Sequence, residues 1–285
     1  MLVINGVVLA GRLLILRTFI DTGSLRGGQG YYSPIHVERE CATLIPVPET
    51  RVKRRHRLLD PEAVGDPCTG MPLSHFMPRG GEWLIHNDPR LDLGFYTDYY
   101  APRGRLPRRP GHRLSKGDVI GFAAGLAYYG DGFWETRRSM YEIRMEFKSA
   151  VKEGRAAIYL VGFIKVARIV DVGSVGWERA VREFPQLRES PHLLGAVEGG
   201  GDEGTIAVIG EGYIVRPPAP LSTPTDRLER QPPSRLLERL IERDNAVSFS
   251  RSNYRRTKLL RIPLGRLREV LSSEGYSIVP ASSPG

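Results

Sequence analysis

The densest gathering of reactive side chains lies in Trp83-Leu-Ile-His-Asn-Asp-Pro-Arg-Leu-Asp92 and Gly94-Phe-Tyr-Thr-Asp-Tyr-Tyr100, which hold His86, Asp88, Asp92, Tyr96, Thr97 and Asp98 in a short span. An imidazole beside a carboxylate can act as a general base with its tautomer fixed. A carboxylate such as Asp88 can also recognise a base edge by accepting from an exocyclic amine. In the catalytic reading, His86 or Asp88 is the acid-base group and Asp21 or Asp98 its orienting partner. The same Asn-Asp-Pro is also turn chemistry, in which Asp88 bonds its own backbone ahead of Pro89.

Asp21-Thr-Gly-Ser24 carries the Asp-Thr-Gly triplet of aspartic proteases, but the second copy needed for a paired carboxylate site is missing. A glycine loop after a strand, with Ser24 in it, can cradle phosphate through backbone N-H groups, although the lysine of a P-loop is absent. A structural turn explains it equally well. His192 sits in a glycine-flanked loop from which it can reach a site. Asn245 to Arg256 interleaves Phe249 and Tyr254 with Arg251, Arg255 and Arg256, the mixture of stacking and phosphate-binding groups that single strands favour. It reads equally as an arginine-rich surface hairpin. Asp118, in Lys-Gly-Asp, reads as a turn hydrogen-bonding group at the start of its strand.

These residues need a frame, and the pattern supplies mostly strands. Leu13 to Ile20 reads as a buried strand ended by the Asp21 loop. Tyr32 to Val37 and Ala42 to Val47 form a short pair. Lys116 to Phe122 is a turn leading into a strand, and Ala157 to Val170 is a second strand that should pair with it. Between them, Gly130 to Met145 reads as a polar, aromatic-rich insertion, a mobile flap. Trp177 to Phe184 is a short helix, and Thr205 to Ile209 with Gly212 to Val215 a hairpin about Gly210-Glu211. Helices follow over Pro233 to Arg243 and Pro263 to Ser273, and the tail after Ile278 is frayed. No strand-helix-strand repeat with a glycine fingerprint occurs, which disfavours a parallel nucleotide-binding sheet. The expectation is an α+β protein, a mixed β-barrel with peripheral helices and long loops, forming a single domain over 12–285 after an N-terminal extension, 1–11.

With 285 residues, 41% of them hydrophobic, the chain can bury one large core. Its apolar runs are far shorter than the roughly 20 residues that span a bilayer, so no membrane partner is expected. The two cysteines, Cys41 and Cys68, suggest neither a disulfide framework nor a thiolate metal site, and so a reducing, cytoplasmic compartment. The six histidines show no metal-binding spacing, which argues against a histidine metal site except through dispersed ligands.

The net charge of +9 and a pI near 9.7 favour polyanionic partners. Only six of the 41 basic residues are lysine, and arginine suits bidentate phosphate contact. A GC-rich genome in a thermophile would give the same excess, and would suit the 22 prolines. The basic runs Arg51 to Arg57 and Pro102 to Arg113 read as exposed loops or as phosphate-contacting segments.

In order along the chain, Gly30-Tyr-Tyr-Ser-Pro-Ile-His36, Leu44-Ile-Pro-Val-Pro-Glu49, His86-Asn-Asp-Pro89, Tyr96-Thr-Asp98, Lys116-Gly-Asp118 with Phe122 and Gly125-Leu126, and Tyr159-Leu-Val-Gly-Phe-Ile-Lys-Val166 resemble the third of the nucleotide-modification-associated domain families. That family is associated with predicted systems that modify DNA bases. The resemblance covers about Leu13 to Val215. Separately, the Gly-Asp-x-x-x-Phe and Val-Gly-Phe-x-x-Val strands are similar to the small barrels of the pseudouridine synthase and archaeosine transglycosylase type, PUA-like barrels that hold a base near these strands.

The resemblances imply a nucleotide or DNA-base modification protein, and the residues above suggest for it an acidic pocket and an arginine rim. Its partner would be nucleic acid, DNA in preference to RNA, or a nucleotide. His86, Asp88, Asp98 and Asp21 would be its catalytic groups. Ser24, Ser33, Tyr96 and Thr97, together with Phe122, His192 and Arg251, would bind the nucleotide. A non-catalytic RNA- or modified-base-binding barrel and a small-molecule nucleotide hydrolase are the alternatives. Cofactor, turnover and oligomeric state stay open.

Overall fold

The computed structural model describes residues 3–4, 7–8, 11–20, 30–49, 58–99, 104, 106–108, 113–192, 204–228, 231–241, 258–260, 262 and 264–281. Asp21, Ser24 and Arg251, and with them the Asp21 loop, the Arg51 to Arg57 run and the Asn245 to Arg256 segment, lie outside the described residues. The strands are β1 (Val3–Ile4), β2 (Val7–Val8), β3 (Leu13–Arg17), β4 (Ser33–His36), β5 (Cys41–Ala42), β6 (Val47–Glu49), β7 (Leu84–His86), β8 (Phe95–Tyr99), β9 (Val119–Ala127), β10 (Ala156–Asp171), β11 (Thr205–Pro220), β12 (Lys258–Leu260) and β13 (Ser277–Pro280).

Every residue of β9 is buried, because the sheet is covered on both faces. Ile120, Phe122, Ala124 and Leu126 point into one core with Leu14 and Leu16, while Val119, Ala123 and Ala127 join Leu13 and Ile15 in the other. Gly125 lies between them for a steric reason, since a Cβ there would sit 2.5 Å from the Tyr32 ring.

The main sheet runs β12-β3-β9-β10-β11-β13, with β4 beyond β3 on the same edge of β9 and β8 beside the first half of β11. β3 and β4 lie parallel to β9, and the other pairs are antiparallel, so the sheet is mixed. The expected pairing of the Lys116 and Ala157 strands is present as β9 with β10. Among the described residues no pairing joins β12 to β8 or β13, and no closed barrel is seen.

Several expectations are corrected. Of Gly130 to Met145, Met140 onward is not flap but the start of helix α1 (Met140–Lys152), which buries Ile143, Phe147 and Ala150, and Phe133 and Trp134 in the preceding loop pack against the core. Ser139 and Glu142 close a reciprocal capping box at its start, a spacing visible in the sequence that composition obscured. Thr205 to Val215 is not a hairpin but part of one continuous strand, in which Gly210 stands opposite Val166 and Gly212 opposite Ile164. A Cβ at Gly210 would lie 2.0 Å from the Lys165 carbonyl oxygen, so this glycine marks close strand approach instead of a turn. Just after Ile278, Val279 and Pro280 are not frayed, since they continue β13, which pairs with β11.

Cys41 and Cys68, expected to remain thiols, form a disulfide with their Cα atoms 5.8 Å apart. The pairing was invisible in a separation of 27 residues and was set by the loop that carries Cys68 back to β5. The inference of a reducing compartment loses its premise. Residues 1–11, read as an extension, include the β1-β2 pair, and Arg12 anchors the chain beside them through a 2.6 Å ion pair with buried Asp118. Among the described residues the remaining α-helices are α2 (Val172–Val175), α3 (Trp177–Glu183), α4 (Arg235–Leu240) and α5 (Leu264–Ser273). No described helix is long and apolar enough to cross a membrane.

Candidate functional site

The loop between β7 and β8 is closed by reciprocal backbone hydrogen bonds between Arg90 and Phe95, at 3.0 and 3.1 Å. Gly94 turns it at φ +66, a left-handed conformation suited to glycine, and its carbonyl accepts from the Gly210 N-H at 2.8 Å. The close approach of Gly94 to β11 thus fixes where β7 ends and β8 begins. Asp88, on the incoming arm and preceding a cis Pro89, consequently faces Thr97 on the outgoing strand.

Asp88 does not serve its own turn through its side chain. Its Oδ2 accepts from the Thr97 backbone N-H at 2.9 Å and from the Thr97 hydroxyl. Thr97 gives its only hydroxyl proton to Asp88, so in its 3.0 Å contact with Ser190 the serine is the donor. Ser190 Oγ in turn accepts from the His192 N-H at 3.2 Å. The His192 ring stands edge-on to His86 at 4.9 Å and to Tyr99 at 5.3 Å between centroids. Thr97, Ser190 and His192 are buried, whereas His86 and Asp88 are half-buried, so the cluster has a dry base and a more open top.

His86, Asp88, Thr97 and His192, chosen from sequence, are therefore brought together. Asp98 is not part of that face. Successive side chains of a strand alternate, so Tyr96 and Asp98 point opposite to Thr97, and the Tyr96 hydroxyl donates to Asp98 Oδ2 at 2.5 Å. Tyr96 itself packs on Phe122, 5.4 Å between centroids, inside the second core. The binding roles expected of Phe122 and Ser33 are corrected too. Phe122 is fully enclosed, and Ser33 is fully buried with its hydroxyl accepting from the Ile45 N-H at 3.1 Å. Ser190 and Tyr99 were missed. Ser190-Pro-His192 offered the one local signal, a hydroxyl two residues before a histidine.

A cavity of about 330 Å³ opens on the other side of the same loop. Asn87, Pro89, Arg90 and Asp92 line it, opposite the Cys41-Cys68 disulfide, and Arg216 contributes from β11. Arg90 grips Asp92 through two hydrogen bonds of 2.9 and 2.6 Å. For Asp92, burial pushes the carboxyl pKa up, but the bond and charge of Arg90 outweigh it and the net shift is downward. The cavity thus offers a largely apolar wall with a held charge pair, beside the His86-Asp88 cluster and not over it.

Among the described residues, His36, Asp66 and Cys68 present ligand atoms that all lie within 4.8 Å of one another. These are dispersed in sequence, so the motif spacings could not reveal them. Burial, chiefly, lowers the His36 pKa and favours its neutral, metal-competent form.

Fold and site together define a mixed α+β protein built on one large mixed sheet, with a polar histidine-carboxylate cluster at the β7-β8 loop. No family model matches the chain, no curated protein matches it, and no solved structure matches it.

Proposed function

We propose that this protein binds a nucleotide or nucleic-acid base at the β7-β8 loop and acts in nucleotide or DNA-base modification. The observation that carries this reading is the convergence of His86 and Asp88 with Thr97, Ser190 and His192, drawn from distant parts of the chain into one hydrogen-bonded and ring-packed group. Asp88, held by Thr97, supplies a fixed acceptor for an exocyclic amine, and His86 beside it supplies a proton-transfer group. The neighbouring cavity has the size of a small-ligand site, and the net charge of +9 favours a phosphate-bearing partner. Membership of the third nucleotide-modification-associated family, and a PUA-like relation for the β9-β10 pair, belong to this proposal, as does a cytoplasmic site of action.

The test is mass spectrometry of ligand and nucleic acid that co-purify with the full chain, followed by binding and turnover measurements on wild type, Asp88→Asn and His86→Gln. In a modifying enzyme Asp88→Asn weakens binding, while His86→Gln keeps affinity and loses turnover. A non-catalytic reader yields no product with any nucleotide, and its affinity falls steeply with salt. Salt-insensitive binding satisfied by mononucleotides would remove both nucleic-acid readings and leave the small-molecule hydrolase.

A further inference from the structure

The geometry points to a redox-gated site for a zinc-class divalent cation, held by His36, Asp66 and Cys68 and completed by Cys41 when the disulfide is opened. This inference is independent of the nucleotide reading. It starts from the carboxylate of Asp66, which is almost wholly buried. Its Oδ2 accepts from the Thr43 hydroxyl at 2.8 Å, the Thr69 N-H at 3.0 Å and the Thr69 hydroxyl at 2.7 Å. Its Oδ1 is equally buried and receives no hydrogen bond. A buried carboxylate oxygen without a donor is costly, and a cation is the partner that would satisfy it.

The neighbouring donors fit that cation. Thr43 gives its one hydroxyl proton to Asp66, so in its 2.9 Å contact with His36 Nε2 the imidazole must donate. That fixes the tautomer and leaves the lone pair on Nδ1. Thr43 thereby orients two ligands at once, the arrangement by which outer hydrogen bonds commonly set a metal site. Cys68 Sγ, one ring nitrogen of His36 and one carboxylate oxygen of Asp66 lie within 4.8 Å of one another. Around a tetrahedral zinc, with bonds of about 2.0–2.3 Å, donors stand roughly 3.3–3.8 Å apart, so the widest separation in the cluster need contract by about 1–1.5 Å. One nitrogen, one carboxylate oxygen and two thiolates form a donor set that selects zinc over magnesium or calcium.

The gate is the disulfide. In the oxidised chain Cys68 Sγ is bonded to Cys41 and cannot act as a thiolate. A cellular dithiol reduces the bond by giving up two electrons and two protons, becoming a disulfide itself. The two new thiols release those protons as the cation binds. Because Cys41 and Cys68 also wall the cavity shared with Asn87 and Pro89, loading would alter the space beside the candidate nucleotide site.

The test uses the full chain with zinc(II) and a chromophoric zinc chelator as competitor. The reductant is a phosphine, which passes two electrons to the disulfide and takes oxygen from water, leaving that water's two protons on the sulfurs. The expected result is one zinc per reduced chain and none per oxidised chain. Cobalt(II) in place of zinc should give a thiolate-to-metal charge-transfer band. His36→Gln and Cys68→Ala, checked for native circular dichroism, should lose zinc affinity at least tenfold, while Cys41→Ser should take zinc without reductant. The proposal is overturned if the reduced wild type leaves all zinc with the chelator, if cobalt shows no thiolate band, or if the folded His36 and Cys68 variants compete as well as wild type. Zinc uptake by the oxidised wild type equal to that of the reduced chain overturns the gate.

Discussion

His86 and His192 meet edge to face, 4.9 Å between ring centroids at 71°, although they lie far apart in the chain. Their contact joins the β7 end to the segment after α3, and Tyr99 closes on the same imidazole from β8. Two strands joined by one short loop and a segment far along the chain thus depend on one buried ring.

That dependence is measurable as a coupling. In a double-mutant cycle of His86→Ala and His192→Ala, the two losses of stability should fail to add by about 0.5–1.5 kcal/mol, the range for packed ring pairs. Additive losses would mean the rings pack without interacting.

Thr97 is the hub of the polar network, with its hydroxyl shared between Asp88 and Ser190. Thr97→Val keeps the shape and removes both bonds, leaving buried partners short of one. Stability should fall by about 1–3 kcal/mol, read as a lower denaturant midpoint at unchanged slope.

The continuity of β11 predicts a cost at its glycine. Gly210→Ala sets a methyl against the Lys165 carbonyl, which must move, so the chain should lose about 1–3 kcal/mol by chemical denaturation.

Glu142 gives a pH dependence with a definite sign. Hydrogen bonds from the Ser139 hydroxyl and backbone hold its carboxyl below the ordinary 4.5. As pH falls through 4.5 the unfolded chain takes up the proton first, so this contribution is present above 4.5 and lost as pH drops through the depressed value. Glu142→Gln, which can still cap the helix, should flatten the acid limb of a stability profile. An unchanged limb would assign it to other carboxylates.

Opening the Cys41-Cys68 bond frees a loop of 27 residues. With a chelator present to exclude metal, phosphine treatment should cost about 2–4 kcal/mol of stability by the chain-entropy argument. Equal denaturant midpoints with and without phosphine would contradict it.

Alternation and turn chemistry in the sequence determined the β9-β10 pair, the α3 helix and the last two helices, because apolar periodicity is a local property that burial on the sheet merely uses. It also determined the residue types at the β7-β8 loop, where His86 and Asp88 stand one residue apart. Composition misread Gly130 to Met145, since the Ser139-Glu142 cap weighs little beside a polar surrounding until the helix has a sheet to pack on. Only the tertiary structure decided that Thr97 and Asp98 part company across the pleat, that Ser190 and His192 come to Asp88, and that Cys68 reaches Cys41 beside His36 and Asp66. Those relations depend on strand register and loop closure, which are set by the whole folded chain and leave no trace in the spacing of any one segment.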